Sequence, residues 1–267
     1  MQRFEAGLLE HVRTFFPDHA ATLGAAQLDR VVRYGLQRAE SRGIQTDRGV
    51  HLYLGLMFML GSRFDEDPVL PWAALVKAPD APATDVAPPE TADACIETLY
   101  GQAMAFLDQT VGADNQLLRQ TLKVWGQPQL FENLPPAPSV GHRLLLLLQT
   151  LSPEKYLALG EDLLRTLVRH GYETAKRRGL TADHGLMSYI ALAFMLGSGF
   201  EQDPLYPWAA AVLNDPALVD PAQKGAALRT AALAFLTKCT PGCPQRATQS
   251  SAALARPAKP CRRIIEG

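Results

Sequence analysis

Apolar positions recur along this chain at helical spacing. Between Phe4 and Phe16 they fall at Leu8, Val12, Phe15 and Phe16, a stripe that Pro17 ends. That spacing predicts a helix, and Leu144 to Leu151, ended by Ser152 and Pro153, predicts its counterpart. Leu28, Val31, Val32 and Leu36 mark one side of a longer amphipathic helix from Gln27 to Arg42, with Gly43 as its stop. Glu161 to Arg178, stopped by Gly179, has the same form. Asp47 to Leu60 and Asp183 to Leu196 are apolar nearly all round, which predicts two central buried helices. Asp47 and Asp183 are their expected N-caps, and Gly61 and Gly197 their stops. Helical stripes over Glu90 to Gln109 and Pro221 to Lys238 close the series. The expected fold class is all-α.

These elements come as two copies. MLGSRFDEDPVLPWAA starts at Met59 and MLGSGFEQDPLYPWAA at Met195, an offset of 136 in the numbering. The offset holds without a gap from Pro17/Pro153 to Val76/Val212, and from position 31 to 76 roughly half of the aligned pairs are identical. Beyond Val76 the first copy carries a longer linker, after which Met104 to Leu107 matches Leu233 to Leu236. The expected organisation is therefore a first helical repeat at 1–112, a connecting segment at 113–135, a second repeat at 136–238 and a tail at 239–267. The two repeats are expected to pack as one body, with a groove between them for a partner. Lys77 to Thr91 and Asn133 to Val140 are Pro-rich and read as extended linkers, and the tail, rich in Pro, Ser and Ala, reads as disordered.

The most regular feature of each copy is a short motif. In the first it comprises Gly61, Phe64, Asp67, Pro68, Pro71 and Trp72, and in the second Gly197, Phe200, Asp203, Pro204, Pro207 and Trp208. Asp before Pro suits a helix start, because Asp caps and Pro at the first helical position gives up no needed hydrogen bond. On this reading Asp67 and Asp203 are caps, Asp65 and Glu201 sit at the positive end of a helix dipole, and Trp72 and Trp208 are mostly buried core anchors. The competing reading makes the acidic set, Asp65, Glu66, Asp67, Glu201 and Asp203, a hydrolytic pair or a cation site. Arg33 and Arg169 recur in both copies and are expected to pair with the retained aspartates.

Composition narrows the function. Lys and Arg total 26 against 27 Asp and Glu, so no basic excess favours nucleic acid or an anionic membrane. Five Ile among abundant Ala and Leu agree with helices. The longest apolar runs, Val50 to Leu60 and Leu186 to Leu196, would span about 16 Å as helices, too little for a bilayer core of about 30 Å. The N-terminus lacks the basic start and continuous apolar stretch of a signal peptide, so a cytoplasmic protein is expected. Cys239 and Cys243 have CxxxC spacing, but no His follows at finger-like spacing. None of the six histidines recurs at the offset of 136; His51 faces Met187 in the alignment, which favours a satisfied boundary histidine over a ligand. No metal, cofactor or catalytic residue is expected.

Phe15-Phe16-Pro17, Leu23-Gly24, Arg42-Gly43-Ile44, Met57 to Gly61, Phe64, Asp67-Pro68 and Pro71-Trp72-Ala73 together resemble a family of small helical proteins encoded beside type VI secretion spike and effector-adaptor genes. Their shared core is MFxLGxxFxxDPxxPWA, and it occurs twice here. The resemblance implies a genomic setting and no catalytic residues. It implies a protein partner, either a secreted effector or a spike component. The expected function is a non-enzymatic adaptor, chaperone or immunity protein; the alternatives are a structural helical-repeat scaffold, or an enzyme with a site around the Asp-Pro motifs.

Overall fold

The computed structural model describes residues 2–75 and 91–240. Every regular element among them is helical. The first half contains α1 (Gln2–Phe15), α2 (Pro17–Leu23), α3 (Ala25–Ser41) and α4 (Asp47–Leu60). Short 3₁₀ turns follow at Phe64–Glu66 and Pro71–Leu75, and then α5 (Ala92–Thr110). A 3₁₀ turn at Ala113–Asn115 leads into α6 (Gln116–Trp125). The second half contains α7 (Val140–Leu151), α8 (Pro153–Leu159), α9 (Glu161–Arg177) and α10 (Asp183–Leu196), a 3₁₀ turn at Phe200–Gln202, α11 (Pro207–Leu213) and α12 (Pro221–Cys239). The bounds of α2, α3, α4 and the Phe64–Glu66 turn reappear, at the offset of the sequence repeat, in α8, α9, α10 and the Phe200–Gln202 turn. Those of α5 reappear in α12, at the shorter offset that follows the first copy's longer linker.

The two apolar helices are central, as their sequences require. Residues of α4 from Leu52 to Phe58 and of α10 from Met187 to Phe194 are buried on all faces. The other helices of each half cover them, and the last helix of each half also reaches across to the other half. The second half's α12 packs on α2, and the first half's α5 packs on α8. Where α10 crosses α12, Gly185 and Gly225 meet so closely that a Cβ on Gly225 would overlap the Gly185 Cα.

Several expectations need correction. Asp47 is the first residue of α4 and does not cap it; the cap is Thr46, whose hydroxyl accepts from the Gly49 N–H at 3.0 Å. Asp183 likewise opens α10 after Ala182, which has no capping oxygen. Pro68 does not start a helix either. The chain turns at Asp67, whose carbonyl accepts from Leu70 N–H, and Pro71 and Pro207 begin the next elements. Arg33 pairs with Asp29 one turn away on its own helix, and not with a retained aspartate.

The connecting segment is also more than a link. It holds α6, whose Trp125 is fully buried, and Leu130, Phe131 and Leu134 are buried after it. Its single apolar face has no counterpart in the repeat, so self-similarity does not reveal it. The tail beyond Thr240 and most of the Lys77–Thr91 linker lie outside the described residues; Thr91 itself caps α5. Among the described residues, no helix is long and apolar enough to cross a membrane.

Candidate functional site

The repeated motif lies where the halves meet. Gly61 and Gly197 end α4 and α10 with φ of 100°, a left-handed conformation that glycine adopts without strain. The two corners abut: a Cβ on Gly61 would sit 2.7 Å from the Leu196 carbonyl oxygen, and one on Gly197 would sit 3.1 Å from an oxygen of Asp67. Glycine therefore serves both the turn and the close approach.

Each corner is held by the aspartate of the other half. Asp203 Oδ2 accepts from the Ser62 N–H at 2.7 Å, while its Oδ1 accepts from the Leu205 N–H at 2.8 Å. Asp67 Oδ2 accepts from the Ser198 N–H at 2.8 Å, while its Oδ1 accepts from the Val69 N–H at 3.0 Å. Both carboxylates are buried. Burial pushes the Asp203 carboxyl above the ordinary aspartate range, although both backbone donors pull it down. One oxygen thus shapes the local turn and the other clamps the neighbouring half. The spacing from Gly61 to Asp67 and from Gly197 to Asp203 is what this reciprocal arrangement needs.

The remaining motif residues support that clamp. Phe64 and Phe200 are buried against the rings of Tyr53 and Tyr189, with centroids 5.1 and 5.0 Å apart. Trp72 and Trp208 are mostly, though not fully, buried and pack on the core near Phe106 and Phe235. Pro68, Pro71 and Pro207 face solvent. Pro204 is partly buried, and its carbonyl accepts from Gln27 Nε2 of the first half at 2.7 Å.

The acids that precede the aspartates are ion-paired. Asp65, with no exposed side-chain surface, accepts from Arg38 Nη2 at 2.5 Å, Arg42 Nε at 2.6 Å and the Tyr53 hydroxyl at 3.0 Å. Glu201 accepts from Arg178 through both oxygens, at 2.8 and 3.0 Å, and from the Tyr189 hydroxyl at 3.1 Å. Burial first, and the adjacent carboxylate second, push both tyrosine hydroxyls far above their usual range, so they stay protonated donors. The halves differ in one respect. Arg38 in the first half corresponds to Thr174 in the second, and Glu201, longer than Asp65, meets a single arginine in a fork. Arg42/Arg178 and Tyr53/Tyr189 recur at the offset of 136, so the alignment that reveals the motif also contains this network.

Asp65, Glu66, Asp67, Glu201 and Asp203 all have partners within the protein, in arginines, tyrosines or backbone amides. Among the described residues no cluster of three or more His, Cys, Asp or Glu is placed to hold a metal. His51 contacts the Asp47 carbonyl through Nδ1 at 2.6 Å and stands edge-on to His11, with ring centroids 4.7 Å apart. Burial, and then the charge of His51, lower the His11 pKa to about 4. Cys239 is buried as a free thiol.

Below the clamp lies a cavity of ≈ 230 Å³ between the halves. Both halves line it, at the place where a groove for a partner is expected from the sequence. Phe16, Phe58, Phe106, Phe194 and Tyr206 line it, with Lys155 and Ser152 among them. A shallower furrow of ≈ 330 Å³ runs on the outside between α7 and α9, over Leu144, Leu145, Val168 and Tyr172 and edged by Arg165, Arg169 and Glu173. Comparison of the chain with protein-family models, curated proteins and solved structures returns no match. The geometry therefore carries the functional argument.

Proposed function

We propose that this chain is a non-enzymatic, protein-binding accessory protein of a bacterial secretion system, serving as an effector adaptor or chaperone or as an immunity protein. We further propose that its halves descend from one duplicated helical unit that once paired with a second copy of itself. The observation that carries this reading is the reciprocal clamp. The acids of the recurring motif direct their lone pairs to backbone amides, arginines and tyrosines within the protein. A motif retained in both halves for that purpose serves architecture, and function then falls to the surface that the architecture presents. The twofold motif supports the secretion setting through its resemblance to proteins encoded beside spike genes.

The outer furrow of α7 and α9 is the surface that suits a partner's helix or extended segment. Its floor is apolar, its rim carries both charge signs, and Val140 at one end is 53 % exposed. The partner is a secreted effector or spike component that meets the chain in the cytoplasm. Affinity capture with the full chain against the products of neighbouring genes tests this. Retention of one such product by the wild type, and its loss with Val140→Asp, is the expected result. Retention of none of them would refute the reading.

A further inference from the structure

Among the described residues, the central cavity holds one polar group without a partner, the Ser152 hydroxyl, and one cation without an ion pair, the Lys155 ammonium. Ser152 is 3 % exposed and lines the cavity, and its hydroxyl has no hydrogen-bond partner. Lys155 follows one turn later, at the start of α8, so both side chains rise from the same helix end. The Lys155 ammonium donates to the Met195 carbonyl at 3.4 Å and sits 5.3 Å from the centre of the Phe194 ring. It has three protons to donate and forms no ion pair among the described residues. Asp67 is near enough to attract it but is not within ion-pair distance, and its two oxygens accept from the Val69 and Ser198 amides. Asp18, His19 and Asp108 also line the cavity. His19 is the residue at the Lys155 position of the first half, and its ring meets Phe58 as Lys155 meets Phe194. The cavity thus has near-twofold walls, with an ammonium on one side and an imidazole on the other.

An unpaired cation among phenylalanines is costly, and an ordinary core would carry a leucine or methionine there. An acceptor-only group that met Lys155 and Ser152 together would offset that cost. A carboxylate is such a group, and the aromatic and aliphatic walls call for an apolar body behind it. Size sets the length. A cavity of about 150 Å³ takes benzene, so ≈ 230 Å³ takes roughly nine heavy atoms by the same ratio.

We propose that this cavity binds a small apolar carboxylate, of the size of a medium-chain acyl acid, with its head group on Lys155 and Ser152 and its tail between Phe16, Phe58 and Phe194. The site is separate from the outer furrow and does not depend on the partner reading. Burial has already lowered the Lys155 pKa to about 8, as expected for an ammonium awaiting a counter-charge.

Titration calorimetry of the full chain with octanoate, and with octanol as the uncharged control, tests the proposal at pH 7. Octanoate should bind the wild type, and Lys155→Met should weaken it at least tenfold. Octanol should bind more weakly than octanoate and be insensitive to that change. Lys155→Arg should keep octanoate within a few-fold, and Ser152→Ala should weaken it a few-fold. Thermal melts of each variant show that it is folded. Absence of octanoate binding to the wild type at millimolar concentration would overturn the proposal. So would equal binding of octanoate and octanol, or binding untouched by Lys155→Met in a folded variant.

Discussion

Replacing Asp203 perturbs the clamp at one defined place. The carboxylate accepts two backbone N–H groups, from Ser62 at 2.7 Å and Leu205 at 2.8 Å, in a buried site. Hydrogen bonds to a charged acceptor contribute about 1.5–3 kcal/mol each, so Asp203→Ala forfeits about 3–6 kcal/mol gross. The buried carboxylate is itself disfavoured, as its raised pKa shows, and its removal returns part of that. The net loss should be about 2–4 kcal/mol. Asp203→Asn keeps one acceptor and turns an NH₂ toward the other donor, so it should cost about 1–3 kcal/mol. Asp67→Ala, which leaves the Ser198 and Val69 amides without their acceptor, should fall in the same range as Asp203→Ala. The two clamps flank one contact between corners. The double variant should therefore lose less than the sum of the single losses, by about 1 kcal/mol, because the first loss already loosens the second. Urea unfolding followed by far-ultraviolet circular dichroism measures all of these variants against the wild type. Losses below about 0.5 kcal/mol in both single Ala variants, the size expected of an inconsequential surface change, would refute the reasoning. Strict additivity in the double variant would refute it too.

Other consequences can be measured on the same footing. Arg178→Met should cost more than Arg42→Met, about 3–5 kcal/mol, because Glu201 then has no cation while Asp65 keeps Arg38; denaturant midpoints compare the two. Trp125→Ala should cost about 3–5 kcal/mol, and Trp72→Ala and Trp208→Ala less, since only Trp125 is fully buried; melting temperatures would show the order. Lys155→Met, which removes an ammonium held without an ion pair, should raise stability at pH 7 in the absence of ligand, read from urea midpoints. His11, held near pKa 4 when folded against 6.5 when unfolded, contributes stability that is present above pH 6.5 and lost as pH falls from there to 4; His11→Gln should flatten that part of a stability–pH curve.

Much of the architecture is legible because helices announce themselves by period. The limits of α4 and α10 follow from an apolar run closed by glycine, and sequence and structure agree on them to the residue. The caps are harder, because Thr46 competes with Asp47 for one role, and only the backbone angle at position 46 decides it. Repetition reveals the motif but not its purpose. A sequence shows that Asp67 and Asp203 recur; it does not show that each reaches an amide more than 130 positions away. Arg42, Arg178, Tyr53 and Tyr189 recur just as strictly, and a search for polar partners of Asp65 and Glu201 at the same offset names them. Lys155 and Trp125 carry no such signal, since neither has a like residue in the other half. Their roles come from which helices cross above them.

The central claim is that each half is clamped by the aspartate of the other. Native-state hydrogen exchange at the Ser62 and Ser198 amides tests it directly. In Asp203→Ala the Ser62 amide should lose protection by tenfold or more relative to Ser198, and in Asp67→Ala the Ser198 amide should lose it relative to Ser62. Protection that followed the aspartate of the same half, or that fell equally at both serines in each variant, would contradict the account.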